Sequence, residues 1–198
     1  MTDVSKFSLL NVADTCSLWN LMASRLLYTA SWTAGVRLCC TNFVIYECLH
    51  KRSQPRPERV ELQKRLRSKL AEGAITAHPI DLEDLHNVEV LRSRKKVSIG
   101  ELSVLVFAAK TQQAVLTDDI GAQKLARIHM HLEAVQSTPH LFAWLYFHSL
   151  LGDGDMAQVK SDLASLLRGL SPHLENFHEE AQRCRAVTMQ PGNIQNKV

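Results

Sequence analysis

The sequence predicts an α/β protein with a short central parallel sheet flanked by helices. Three observations lead there. Short apolar runs alternate with segments whose apolar residues recur at helical spacing. Several runs end in Asp or Thr residues that can cap the helix that follows. The chain has 198 residues, 45% hydrophobic and 22% charged, enough for one compact domain with a substantial core. Strands alternating with helices favour parallel pairing with helices on both faces. No internal repeat or shift in composition divides the chain.

Residues 1–6 read as a loose terminus. Phe7 to Ala13, with Leu9, Leu10 and Val12, reads as the first strand and ends at Asp14. Asp14 or Thr15 can cap a helix from about Ser17 to Ala30, with Leu18, Leu21, Met22, Leu26 and Leu27 as its buried stripe. Gly35 breaks the pattern, and Val36 to Cys40 reads as the second strand. A helix from about Asn42 to Lys51 carries Glu47 among Val44, Ile45, Cys48 and Leu49. Pro55 and Pro57 stop it, because proline lacks a backbone donor and clashes inside a helix. Pro57 then opens a basic helix over about Glu58 to Glu72, ended by Gly73.

Ala74 to Ala77 reads as a third strand, and Asp81 starts a helix through Leu82, Leu85, Val88 and Leu91. Ser98-x-x-Glu101 fits a capping box and opens a helix to about Lys110. Ala114-Val115-Leu116 suits a strand buried on both faces. Thr117, Asp118 or Asp119 can cap the next helix, which runs to about His129. Leu132 to Val135 reads as one more short strand. Thr138-Pro139 starts a helix rich in bulky apolar residues, including Leu141, Phe142 and Trp144. After the Gly152-Asp153-Gly154 turn, Asp155 opens a helix to about Leu170 and Pro172 a last one to about Ala186. The expected organisation is a domain over 7–170, a helical extension over 171–186 and a disordered tail over 187–198.

The formal charge of +3 permits a polyanionic partner without requiring one. Cys16, Cys39, Cys40, Cys48 and Cys184 show no CxxC or Cys/His ligand spacing and read as reduced thiols of a cytoplasmic protein. Asp3 and Lys6 do not open a secretory leader. Asn11, Asp14, Asn20 and Arg25 interrupt the apolar stretch from Phe7 to Trp32, so no membrane span is expected. His129, His131, His140 and His148 read as scattered surface or interface residues. Trp19, Trp32 and Trp144 read as core or dimer contacts.

The acidic residues carry the chemistry. In an open parallel α/β sheet, ligands bind outside the carboxyl ends of the strands. Asp14, Asp118 and Asp119 follow such ends, Glu47 lies early in the helix after the second strand, and Glu101 sits in a first helical turn. Each has a plainer reading: Asp14 as a cap, Glu101 as half of the capping box, Asp118 and Asp119 as caps. Glu47, set among apolar neighbours, should be paired or ligating if buried. Converging carboxylates repel one another unless a cation compensates them, and Mg²⁺ or Mn²⁺ prefer oxygen ligands.

The segments ADTCSLWNLM, TNFVIYECLHKR, SIGELSVLVFAAK and VLTDDIGAQKLA, in this order, resemble the PIN-domain family of metal-dependent nucleases. They most resemble its prokaryotic branch, with a Gly-Glu pair on the third acidic helix and Thr-Asp-Asp after the next strand. STPHLFAWLYFHSLLGDGDMAQVKSDLASLL resembles that branch's closing helices, and the similarity covers about residues 7–170. The resemblance implies a PIN-like three-layer fold with extra C-terminal helices and a site that uses Mg²⁺ or Mn²⁺ to activate water against RNA phosphodiesters. It implies Asp14, Glu47, Glu101 and Asp119 as ligands, Asp118 as the competing choice at the last position, and Thr15 and Thr117 as water-positioning groups. Cys16 stands where the family often has Ser or Asn.

Lys51, Arg52, Arg56, Arg59, Arg92, Arg94, Lys95 and Lys96 could track a phosphate backbone, against the plainer reading of a solvated face. The expectation is therefore a metal-dependent endoribonuclease acting on RNA. The resemblance suggests a toxin or defence effector held by an antitoxin or other regulatory protein, with a homodimer as a further expectation. Two other readings remain open: a non-catalytic PIN-like module that binds RNA or protein, and a structure-specific DNA nuclease.

Overall fold

The computed structural model describes residues 3–51, 56–81, 83–84, 86, 98–166 and 168–188. Five strands, β1 (Leu10–Ala13), β2 (Arg37–Thr41), β3 (Ile75–His78), β4 (Ala114–Leu116) and β5 (Val135–Gln136), pair in the order β3-β2-β1-β4-β5. Every pairing is parallel. Val12 lies opposite Cys39 on one side and Val115 on the other, and Ala13 lies opposite Leu116. Val12, Ala13, Val115 and Leu116 are fully buried, as expected of central strands covered on both faces. The chain lays β1, β2 and β3 outward in one direction and then returns to place β4 on the other side of β1. The strand order therefore reverses between β1 and β4, where an open sheet leaves a crevice.

Nine α-helices flank the sheet among the described residues: α1 (Thr15–Ala23), α2 (Arg25–Thr33), α3 (Asn42–Ile45), α4 (Pro57–Ala71), α5 (Ile99–Thr111), α6 (Ile120–His129), α7 (Thr138–Phe147), α8 (Asp153–Ser165) and α9 (Ser171–Thr188). The arrangement is consistent with a three-layer α/β fold. Helix α5 packs across β1, β2 and β4 with Leu102 and Ala108 fully buried. Helix α1 rests against α2, α4, α7 and α8. Helix α9 docks along α7 and buries Leu174 and Ala181, so the predicted helical extension shares the core. Among the described residues, no helix is long and apolar enough to cross a membrane.

Several element boundaries differ from the sequence reading. The first strand begins at Leu10, not Phe7; the Phe7 ring instead packs against Trp144 and His140. The helix expected from Ser17 to Ala30 is two helices, because Ser24 adopts an extended conformation and its hydroxyl caps Leu27 N. The segment expected as one helix to Lys51 turns from α3 into a π-helical turn over Tyr46–His50. Helix α4 stabilises that wide turn: Gln63 Nε2 donates to the Cys48 carbonyl at 2.8 Å and Arg59 Nη2 to the Glu47 carbonyl at 3.2 Å. Leu132–Ala134 forms a 3₁₀ turn, leaving only Val135 and Gln136 as strand. Helix α8 runs from Asp153 to Ser165 rather than from Asp155 to Leu170. Helix α9 reaches Thr188, two residues into the expected tail, and 189–198 lie outside the described residues. Of the helix expected after Asp81, residues 83, 84 and 86 are helical, while Leu82, Leu85, Val88 and Leu91 lie outside the described residues.

Candidate functional site

Asp14 is the residue immediately after β1, at the reversal point of the sheet. Its backbone N–H extends the strand pairing to the Leu116 carbonyl at 3.1 Å, so the side chain is fixed beside the end of β4. Oδ1 caps α1 by accepting from Ser17 N at 2.7 Å, and Oδ2 accepts from Thr117 Oγ1 at 2.6 Å. The residue is 1% exposed. Burial pushes its carboxyl up to about 7; the Asp118 charge adds to the rise, against the hydrogen bonds from Thr117 and Ser17.

Asp118 reaches the same crevice from the end of β4. Its Oδ1 accepts from Thr138 N at 2.7 Å, and its Oδ2 accepts from Asn20 Nδ2 at 2.7 Å and Thr138 Oγ1 at 2.5 Å. Asp119, by contrast, is the N-cap of α6: its Oδ1 accepts from Ala122 N at 2.7 Å. The resemblance implies Asp119 as the ligand and Asp118 as the competing choice, and here the two differ in their partners. Asp119 makes the cap, and Asp118 is the one whose charge acts on Asp14.

Glu47 projects from the π turn. One of its oxygens accepts from Thr15 Oγ1 at 2.8 Å. Its carboxylate also lies directly over Gly100, at the start of α5: a Cβ built there would sit 2.4 Å from Oε2 and 2.7 Å from Cδ. Only glycine leaves room for that carboxylate. The Gly-Glu pair of the sequence therefore contributes space at Gly100 as well as a carboxylate at Glu101. Glu101 closes the predicted capping box, with Ser98 N donating to its Oε2 at 2.8 Å.

Cys16 lies within electrostatic reach of Asp14, Asp118 and Glu101. Burial pushes its thiol up to about 12, with the charges of Asp14, Asp118 and Glu101 adding to the rise and Arg168 opposing it. With no ion beside it, the thiol stays protonated and is a small neutral lining of the site. Thr15 and Thr117 both spend their hydroxyls on carboxylates, so in this structure they orient Glu47 and Asp14.

Among the described residues, none of Asp14, Glu47, Glu101 or Asp118 is in an ion pair with Lys, Arg or His. Nor, among those residues, do three or more His, Cys, Asp or Glu side chains already stand in ligand geometry around one point. The donor set is nonetheless all oxygen and carries several negative charges, which suits a hard divalent cation. Asp14, a buried carboxylate with no cationic partner among the described residues, is the observation that fits such an ion.

Of the basic residues expected to contact phosphate, Arg59 is committed to the backbone of the Glu47 turn. Lys51 and Arg56 are exposed, and Lys51 borders a groove of about 700 Å³ lined by Phe43, Tyr46, Glu47, Ser98 and Ile99. Arg52, Arg92, Arg94, Lys95 and Lys96 lie outside the described residues. Sequence reading missed Asn20 and Thr138, which hold Asp118, and Arg168, which donates to Asn20. Their separations in sequence, 98, 20 and 148 residues, offered no local signal. His140 and His148, read as surface or interface residues, hydrogen-bond the Asp3 and Ser5 carbonyls and tie the N-terminal segment to α7.

Comparison with known proteins found no matching family model, no matching curated protein and no matching solved structure.

Proposed function

We propose that the protein is a metal-dependent nuclease that hydrolyses RNA phosphodiesters, with Asp14, Glu47, Glu101 and Asp118 as the residues that would hold Mg²⁺ or Mn²⁺. One observation carries the reading: Asp14 is a buried carboxylate without a cationic partner among the described residues, at the reversal point of a parallel sheet, with Asp118 beside it. The resemblance of four ordered segments to the PIN-domain family supports the same chemistry. When bound, the ion would activate water and stabilise charge developing on the phosphate. The chain's own part is orientation. Thr117 and the Ser17 N–H hold Asp14, Thr15 and Gly100 set Glu47, and Asn20 with Thr138 fixes Asp118. Without a cation, Asp14 is partly protonated near neutral pH; a cation would favour its ionised form.

The test is cleavage of matched RNA and DNA oligonucleotides with Mg²⁺ or Mn²⁺, with EDTA, and with Asp14→Asn. RNA cleavage that needs the metal and falls at least about 100-fold in Asp14→Asn is the expected result. Cleavage that survives both EDTA and Asp14→Asn sinks the mechanism, and preference for the DNA strand assigns a DNA nuclease instead. The engagement of Glu101 in its capping box favours a second reading, a non-catalytic module that binds RNA or protein. Calorimetric titration separates the two: absence of Mn²⁺ binding at millimolar concentration supports the second.

A further inference from the structure

Arg168 stands between α8 and α9, far in sequence from every acidic residue of the site. Its Nε donates to Asn20 Oδ1 at 2.8 Å, and Asn20 Nδ2 donates in turn to Asp118 Oδ2 at 2.7 Å. Asn20 is 3% exposed, so this relay is set inside α1 and is not a passing surface contact. Among the described residues, the terminal nitrogens Nη1 and Nη2 make no hydrogen bond and no ion pair.

An acidic site that binds RNA has an electrostatic problem. The ion neutralises part of the carboxylate charge, but the substrate brings a phosphate of the same sign at each nucleotide. A guanidinium is suited to this place, because its planar fork can grip a phosphate through two N–H groups while a third is tethered elsewhere. Arg59 is committed to the backbone of the Glu47 turn. We infer that Arg168 is the phosphate-binding cation of the acidic site, anchored through Asn20 to Asp118 and offering Nη1 and Nη2 to the RNA backbone. The inference rests on the nuclease reading for the identity of its ligand.

The experiment compares Asp14→Asn with Asp14→Asn/Arg168→Gln, a pair in which the proposed chemistry is disabled and binding alone is read. Glutamine retains an N–H donor for Asn20 and removes the charge. Fluorescence anisotropy with a labelled single-stranded oligoribonucleotide in Mg²⁺ is measured across a series of salt concentrations, with melting temperature as a folding control. The double variant is expected to bind about tenfold more weakly or worse. Its log Kd against log salt should be shallower by about 0.7, the loss of one phosphate contact to a single strand. Equal affinity and equal slope overturn the inference, as does a fall in melting temperature with RNA binding unchanged. Wild-type protein that cleaves nothing overturns the nuclease reading instead, because the comparison reads binding and not turnover.

Discussion

Gly100 and Glu47 show how one missing methyl group can shape a site. The Glu47 carboxylate occupies the space a Cβ at Gly100 would need. Alanine is the better helix former, by roughly 0.5–1 kcal/mol, and the clash falls on the free end of a flexible side chain. Gly100→Ala is therefore expected to keep the fold, with a melting temperature close to wild type, while Mn²⁺ affinity or cleavage falls about tenfold or more as Glu47 leaves Thr15. Calorimetry and a thermal melt on the same sample check both halves. His140 makes a separate case. It is 4% exposed, and its Nε2 meets the Asp3 carbonyl at 3.1 Å. Burial lowers its pKa below the ordinary value. The unfolded chain therefore takes up a proton near pH 6.5 that the native state resists. The stability His140 contributes is present above that pH and lost as pH falls through its lower folded value. Thermal melts from pH 8 to pH 5 should show wild type losing stability faster than His140→Gln on the acid side. Parallel curves for the two proteins would remove His140 as the cause.

At the scale of the element, the turn from β4 into α6 gives two adjacent carboxylates different partners. Asp119 satisfies the orphan N–H of Ala122, so Asp119→Ala should cost about 1 kcal/mol in urea denaturation and leave metal binding intact. Asp118→Ala strands three donors, from Asn20 and from the backbone and hydroxyl of Thr138. Unpaired buried donors cost about 1–3 kcal/mol each, so this substitution should cost more and should also abolish the metal response. The reverse pattern would return the inner position to Asp119. The π turn is the second device of this kind. Lys51 N bonds the Tyr46 carbonyl five residues back at 2.8 Å, and the extra residue in the turn sets the direction of Glu47.

At the scale of the molecule, the C-terminal helix is part of the core. Leu174 and Ala181 are fully buried where α9 meets α7, and the His178 ring sits against Phe142 and Tyr146. Leu174→Ala should lower stability by about 2–5 kcal/mol, from lost burial and the cavity left behind. A chain ending at Leu170 should lose its cooperative urea transition or show it at much lower urea, with Phe142 uncovered. A truncated chain that unfolds like the full one would show α9 to be an appendage. Much of this architecture was legible in the sequence. Alternating apolar runs and capped helices gave the parallel sheet, and Ser98-x-x-Glu101 gave its capping box, because strand burial and helix caps depend on residues a few positions apart. The break at Ser24 and the π turn were not legible, since Ser24 Oγ also reaches Asp162 and the turn is braced from α4.

By itself, then, the sequence determined the class of fold and the carboxylates at the strand ends, for periodicity and capping are local chemistry. Only the tertiary structure decided which of Asp118 and Asp119 turns toward Asp14, that Thr15 and Thr117 hold carboxylates, and that Arg168 reaches the acidic site through Asn20. Those choices are made by hydrogen bonds spanning 20 to 148 residues. Such pairs meet only when the sheet sets β1 between β2 and β4 and the helices pack around it, and no pattern within a helix or a strand records them.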